Sequence, residues 1–152
     1  MSDVLQSFAG QPERTLAKGE SLLEEGCQLG RLYALVEGSV EILKGDIQVN
    51  VVSRPGAILG EVSVLLNQPH MATVRALTPC RVFEVEHGVH FLRAHPELNL
   101  HLARLLARRL NSVTSYLADM KAQYQDREDH LGMVDEVLEG LLHHHPKDPG
   151  AA

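Results

Sequence analysis

Short apolar or alternating runs, separated by turn-forming residues, fill the first half of the chain and restrict what it can fold into. They lie between about residues 14 and 86 and are divided by Gly, Pro, Asn and Asp; the clearest are 32–36, 40–43, 49–52 and 81–85. Strands of this length, joined by tight turns such as Lys44-Gly45-Asp46, are typical of an antiparallel β-barrel or jelly roll. The sequence therefore predicts a mainly β fold with flanking helices.

Helical periodicity replaces this pattern in the second half. Residues 87–96 predict a short helix that ends near Pro96, and a long C-terminal helix is expected from Glu97 onward. Within it, apolar side chains recur at alternating spacings of three and four; they are Leu106, Leu110, Val113, Leu117, Met120, Tyr124, Leu131, Val134, Leu138 and Leu141, with Arg127 interrupting the series. Such a heptad seam is typical of a coiled-coil dimer. Its first six members are the candidate dimer interface: Leu106, Leu110, Val113, Leu117, Met120 and Tyr124.

A single amphipathic helix seated on its own barrel explains the first half of this seam equally well. It does not explain the second half, because a straight helix from Glu97 to Leu131 rises about 50 Å and passes beyond a small barrel. The alternative is a break near residues 126–129 and Gly132, followed by a second helix that folds back. Both arrangements remain open from the sequence.

Composition agrees with one soluble domain. The 152 residues are 44% hydrophobic, enough for a single core, and we expect domain boundaries at 1–110, 111–142 for the helical extension and 143–152 for a flexible tail. The net charge of -6 argues against DNA and anionic membranes as partners, and the residues after Leu110 leave no room for a DNA-reading domain. No leader pattern or membrane span is recognisable, so we expect a cytoplasmic protein.

Neither a metal site nor an active site is predicted. Cys27 and Cys80 lack metal-ligand spacing and are interpreted as reduced, partly buried thiols. His87 and His90 could share a helical face, and 143–145 is a run of three histidines, but neither set has the second half of a closed ligand geometry. No nucleophile elbow, Walker loop or paired carboxylates stand out. We therefore expect no metal, no cofactor and no enzymatic activity.

Residues 60–76 carry the most specific pattern of the chain. Gly60 and Glu61 precede a short apolar helix and a turn, after which His70 opens the run His-Met-Ala-Thr-Val-Arg-Ala. Gly60 lets the backbone approach a ligand, the start of a helix suits an anion, and an ionised Glu61 accepts hydrogen bonds from a hydroxyl. Arg75 lies at an odd offset from His70, so we expect it on the opposite face, paired with a surface carboxylate.

This segment resembles the phosphate-binding cassette of cyclic-nucleotide-binding domains, which reads G-E, a short helix, a turn and R-x-A-x-V-x-A. The spacing is kept without a gap, but His70 stands at the arginine position. Further resemblances to the family's strands, turns and closing helices are found in residues 16–22, 32–42, 55–56, 91–96 and 105–110, so that the resemblance covers about residues 14–112. The chain is similar to the cyclic-nucleotide-binding domains of catabolite activator proteins, kinase regulatory subunits and cyclic-nucleotide-gated channels.

The resemblance implies a degenerate ligand site. Its candidate residues are Gly60, Glu61, Val62, Ser63, His70 and Met71. An arginine offers a permanent bidentate fork, whereas a histidine with a pKa near 6.5 is mostly neutral at pH 7, and the bulk of Met71 is expected to crowd the phosphate pocket. Two functions follow. One is a stand-alone, dimeric regulatory or interaction domain with an unknown protein partner and weakened or lost nucleotide binding. The other is a working sensor of a cyclic nucleotide or another small anion.

Overall fold

The computed structural model describes the backbone of residues 3–123 and 128–142, and the side chains of residues 3–123 and 132–141. The strands in these ranges are β1 (Glu13–Leu16), β2 (Ser21–Leu23), β3 (Leu32–Glu37), β4 (Val40–Lys44), β5 (Ile47–Val52), β6 (Ile58–Leu59), β7 (Thr73–Ala76) and β8 (Cys80–Val85). The helices are α1 (Asp3–Phe8), α2 (Glu61–Leu66), α3 (Gly88–Ala94), α4 (Pro96–Gln123) and α5 (Glu128–Leu142). The predicted mainly β fold with flanking helices and a long C-terminal helix is confirmed.

The strands form two four-stranded antiparallel sheets, ordered β1-β8-β3-β6 and β2-β7-β4-β5. In the second sheet, Ile42 of β4 lies opposite Val74 of β7, and Val40 lies opposite Ala76. The turn between β4 and β5 contains Gly45 at a φ of 60°, where the sequence predicts a hairpin. Because successive side chains of a strand point to opposite faces, every second side chain of these strands points toward the other sheet.

One hydrophobic core joins the two sheets. Tyr33, Leu35 and Val82 come from the first sheet, and Val40 and Val74 come from the second. Each is at most 6% exposed. Burying a side chain of this size is worth about 1.5 to 3 kcal/mol, so these interdigitating positions hold the sheets together.

The N-terminal and third helices meet over aromatic rings. Phe8 of α1 is fully buried, and its ring centroid lies 4.9 Å from that of Phe91 in α3 and 6.4 Å from that of Phe83 in β8.

The two cysteines are free thiols, with Cys80 buried in its strand. Cys27 is exposed, because it lies in the loop between β2 and β3; the interpretation of it as partly buried was wrong.

The C-terminal helices do not form one straight rod. The chain divides into two compact units between Asn99 and Leu100, within the continuous helix α4, and the boundaries expected at residues 110 and 142 stay predictions. In the second unit, Lys121 of α4 forms an ion pair with Asp135 of α5. A straight helix would separate residues 121 and 135 by about 21 Å, so α5 turns back toward α4. The fold-back alternative is confirmed, but the break expected at Gly132 was wrong, because α5 begins at Glu128 and contains this glycine. An uninterrupted seam to Leu141 is excluded.

The first part of the seam remains accessible on α4. Leu110 and Val113 are 45% and 50% exposed, while Leu106, Leu117 and Met120 are half-buried. Tyr124, the sixth predicted interface residue, and the tail 143–152 lie outside the described residues.

None of the described helices combines the length and the apolar character needed to cross a membrane.

Candidate functional site

The candidate site begins where β6 passes into α2. Gly60 joins the two elements at a φ of 88°, in the left-handed region that disfavours side chains. A Cβ atom at this position would lie 2.9 Å from the carbonyl oxygen of Arg31 and 3.9 Å from Cε1 of His70. The absence of a side chain at Gly60 therefore allows both the turn and the close approach of the Arg31 carbonyl, and the His70 ring lies next to this glycine.

Hydrogen bonds around Ser63 fix the length of the turn after α2. The amides of Asn67 and Gln68 both donate to the carbonyl of Ser63, and the Ser63 hydroxyl donates to the carbonyl of Gln68 at 2.5 Å. Asn67 adopts a φ of 51° and accepts a hydrogen bond from the side chain of Gln28. The hydroxyl of Ser63 is thus engaged within the turn, and a contact from it to a ligand stays a prediction.

His70 is held at the site from its backbone. Its carbonyl accepts a hydrogen bond from Gly26, and its amide donates to the carbonyl of Cys27, both at 2.9 Å. The residue is 7% exposed, and its Nε2 atom is buried without a hydrogen-bond partner among the described residues. A buried polar atom without a partner costs about 1 to 3 kcal/mol, and functional sites are among the places where a fold retains one.

Burial also sets the charge of this imidazole. Removal from water lowers the pKa of His70 below its ordinary value, because desolvation disfavours the imidazolium. At pH 7 the ring is therefore neutral. A neutral imidazole donates from one ring nitrogen and accepts at the other, so the site presents a polar group but no fixed cation at this position.

The remaining predicted site residues differ in exposure. Glu61, the first residue of α2, is 6% exposed, and Val62 beside it is half-buried. Met71 is 60% exposed, so most of its side chain faces solvent. The structure brings Gly60 and His70 together, whereas the bulk of Met71 lies largely outside the buried part of the site.

Arg75 pairs with a carboxylate, as the sequence predicts, but its odd offset from His70 does not set its face, because β7 begins only at Thr73. Its guanidinium donates to Oε1 of Glu41 at 2.8 Å, and the two residues lie opposite each other on β7 and β4. Glu41 is only 7% exposed, so the expectation of a surface carboxylate was wrong. Cross-strand pairing places the two side chains on the same face of the sheet, which the sequence spacing alone does not reveal.

A second charged pair lies beside the cassette and was not singled out from the sequence. The ammonium of Lys44 donates to the carbonyl oxygen of Met71 and pairs with Oε1 of Glu25, each at 2.8 Å. The hydrogen bond from Lys44 lowers the pKa of the Glu25 carboxyl. The amide of Glu25 also donates to the hydroxyl of Thr73, so this loop is attached to the start of β7. The sequence carried no signal for this pair, because Glu25 lies in the loop after β2 and Lys44 at the end of β4.

The two helical histidines considered from the sequence lie elsewhere. His87 and His90 line a surface groove at the start of α3, together with Leu29 and Arg93. Within the described ranges, no group of three or more histidine, cysteine, aspartate or glutamate side chains is placed so that it could bind a metal ion.

Comparisons with known proteins identify the family of this chain. A family model described as cyclic nucleotide-binding domain matches residues 13–92, which is more than half of the chain and includes the whole cassette. The cAMP-dependent protein kinase regulatory subunit of Yarrowia lipolytica is 34% identical over 83 residues, or 55% of this chain and 21% of that protein. The CRP-like cAMP-activated global transcriptional regulator of Mycobacterium tuberculosis is 27% identical over 109 residues, or 68% of this chain and 49% of that protein.

Solved structures support the fold. The catabolite activator protein of Thermus thermophilus aligns with a TM-score of 0.66 at 22% identity, over 78% of this chain and 58% of that chain. By their names, the kinase subunit and the transcriptional regulator are regulatory proteins. This chain spans between about a fifth and a half of their length.

Proposed function

Because this chain belongs to the cyclic nucleotide-binding domain family, we propose that it is a regulatory domain that binds a cyclic nucleotide only weakly at neutral pH. Conversion between a free and a bound form is the regulatory event, and the C-terminal helices transmit it. The proposal concerns the domain spanned by the family match, residues 13–92, and the helices that follow it.

The imidazole of His70 carries this proposal. It lies beside Gly60 within the cassette, it is buried, and its Nε2 atom has no partner among the described residues. Charge-assisted bidentate bonds from an arginine are about twice as strong as neutral ones, and a neutral imidazole supplies neither the charge nor the second donor. A cassette that keeps its glycine and its turn but has His70 should therefore retain a pocket of low affinity.

Titration calorimetry at pH 7 with cyclic AMP and cyclic GMP tests the proposal directly. We expect no binding in the submicromolar range with either nucleotide, and a submicromolar dissociation constant would contradict weak binding. Thermal unfolding in millimolar nucleotide provides the complementary measurement, since ligand at 100 times its dissociation constant adds about 2.7 kcal/mol of stability. A rise in melting temperature with cyclic AMP but not with sodium chloride of equal ionic strength supports a weak, specific pocket.

We further propose that two copies associate through α4. Leu110 and Val113 are exposed at coiled-coil spacing, and Leu106, Leu117 and Met120 continue the same stripe. An apolar stripe of this kind is costly in water and is covered in a symmetric dimer. In this proposal the helices pass the signal to a protein partner, without contacting DNA and without a catalytic step. Residence in the cytoplasm stays a prediction from the sequence.

A second candidate is a working sensor of another small anion. The unpartnered Nε2 of His70 favours it, because a ligand that donates or accepts a hydrogen bond there would relieve the cost of burial. Screening cyclic nucleotides against linear nucleoside monophosphates and small carboxylates by thermal shift separates the two candidates. Stabilisation by a carboxylate or a linear phosphate alone would favour the second.

A further inference from the structure

Strand β4 ends in a lysine, Lys44, close to the cassette. Val40 and Ile42 lie opposite Ala76 and Val74 on β7, and Val40, Val74 and Ala76 are buried in the core between the sheets. Successive side chains of a strand alternate between its faces. Lys44 is the last residue of β4 and lies beyond a register shift between Ile42 and Leu43 in the pairing with β5, so its position is given by its contacts.

The contacts of Lys44 bring its charge to the turn that contains His70. Its ammonium lies 2.8 Å from the carbonyl oxygen of Met71, the residue after His70, and 2.8 Å from Oε1 of Glu25. The side chain of Lys44 is 60% exposed, so it has room to reorient. A flexible, partly exposed cation thus stands within hydrogen-bond distance of the cassette backbone.

Two nearby arginines are committed to other carboxylates. Arg75 donates to Glu41 on the opposite face of β4 and β7. Arg31, whose carbonyl borders Gly60, directs its guanidinium to Glu84, 3.4 Å away in the first sheet. Both guanidinium groups are thus held by carboxylates that lie outside the turn that carries His70.

We propose that Lys44 supplies the positive charge for the phosphate of a ligand bound at the cassette, and that Glu25 restrains Lys44 until such an anion competes for it. The inference rests on the proposed function, since it takes the cassette as the ligand site. A lysine ammonium acts as a point charge without the bidentate geometry of arginine. The resulting affinity is low.

Glu25 makes the inference testable in two opposite directions. Its carboxylate accepts a hydrogen bond from Lys44, and that bond lowers the pKa of Glu25, so the pair is ionised at neutral pH. A ligand phosphate must draw the ammonium away from this carboxylate. Removal of the Lys44 charge should therefore weaken anion binding, whereas neutralisation of Glu25 should strengthen it.

The experiment is a nuclear magnetic resonance titration with cyclic AMP into the millimolar range, at pH 7.5 and constant ionic strength. The proteins are the parent, Lys44→Met and Glu25→Gln, with Lys18→Met and Glu24→Gln as exposed controls that make the same changes of charge. An exposed ion pair is weak, so we expect Lys44→Met to weaken and Glu25→Gln to tighten cyclic AMP binding by only about three- to five-fold. The controls should bind as the parent does.

Adenosine is the probe that separates charge from pocket shape. It keeps the base and the ribose but carries no phosphate, so its affinity should be the same in all five proteins. If Lys44→Met and Glu25→Gln alter adenosine binding as much as cyclic AMP binding, the pair acts on pocket shape and the inference is overturned.

The titration also distinguishes failure of this inference from failure of the proposed function. If the parent binds cyclic AMP and both variants bind it equally well, Lys44 is not the phosphate cation, and the proposed function is unaffected. If neither the parent nor Glu25→Gln binds cyclic AMP, the inference is overturned. In that case His70→Arg decides the proposed function, because its failure to bind would remove the cassette as a nucleotide site.

Discussion

The carbonyl oxygen of His70 accepts a hydrogen bond from the amide of Gly26 at 2.9 Å. The amide of His70 donates in turn to the carbonyl of Cys27, so the loop after β2 holds this residue on both sides of its Cα atom. Neither bond involves the imidazole. A substitution at position 70 should therefore change the chemistry of the cassette without displacing its backbone.

The first prediction is that His70→Arg strengthens binding of cyclic AMP. It returns a permanent cation to a cassette that keeps Gly60 and Glu61, and a hydrogen bond to a charged group is worth about 1.5 to 3 kcal/mol. We expect at least a ten-fold tighter dissociation constant in titration calorimetry at pH 7. His90→Arg, an exposed change on α3, is the matched control and should bind as the parent does.

Arginine is larger than the histidine that it replaces at this buried position, so a steric cost could offset the gain from the added charge. A melting temperature equal to that of the parent shows that the larger side chain fits. If His70→Arg is as stable as the parent and binds no better, the missing charge is not what limits affinity, and the position of Met71 or the shape of the pocket is responsible.

The second prediction concerns stability and pH. The pKa of His70 is lowered in the folded chain by burial, so between the folded pKa and the ordinary value near 6.5 the unfolded chain binds more protons. The contribution of His70 to the free energy of unfolding is therefore fully present above about pH 6.5. It is lost as the pH falls through the pKa of His70 in the folded chain. Urea unfolding from pH 7.5 to 5 should show a smaller decline in His70→Gln than in the parent. Equal declines in the two proteins would contradict the burial effect.

The third prediction concerns ligand affinity and pH. If His70 faces the phosphate, an anionic ligand raises its pKa, and binding tightens as protons are taken up. The sequence suggests a gain between pH 8 and 6. Because the pKa of the free protein is lowered by burial, the gain should continue below pH 6.5 until that pKa is reached. Calorimetric titrations with cyclic AMP across pH 8 to 5.5 measure the slope. A flat profile in both the parent and His70→Gln would remove His70 from the site.

The fourth prediction separates two costs at Gly60. The left-handed conformation costs an ordinary residue about 1 to 2 kcal/mol, and a Cβ 2.9 Å from the Arg31 carbonyl adds a steric cost of about 1 to 3 kcal/mol. Gly19 has a φ of 86° and nothing within 4 Å of its Cβ direction, so Gly19→Ala measures the backbone cost alone. We expect Gly60→Ala to lower the free energy of unfolding more than Gly19→Ala does in urea titrations. Equal losses would show that the Arg31 carbonyl moves aside freely.

Local patterns predicted most of the fold because each is read within a few residues. The apolar runs at 32–36 and 40–43 became β3 and β4 with nearly the same ends, and the hairpin formed at Gly45. In these segments the spacing of apolar residues and the turn residues agree, so local and tertiary preferences give the same result.

Long-range pairing was the part that the sequence could not supply. The carboxylate partner of Lys44 is Glu25, in a loop that sequence spacing does not connect with β4. Similarly, the partner of Arg75 is Glu41 on the adjacent strand, where it is buried rather than exposed. The heptad pattern also continues across a change of chain direction, because two shorter amphipathic helices and one long helix share the same period.

The last prediction concerns association through α4. Leu117 is half-buried in the single chain and lies in the stripe that includes Leu110 and Val113. Burying a leucine is worth about 1.5 to 3 kcal/mol, and Leu117→Asp also introduces a carboxylate into each half of a symmetric seam. We expect the light-scattering mass to fall from dimer to monomer, while the circular dichroism of the sheets is retained. Ser115→Asp adds the same charge at an exposed position off the seam and should remain dimeric. A parent that is already monomeric, or a mass unchanged by Leu117→Asp, would mean that this stripe does not hold two copies together.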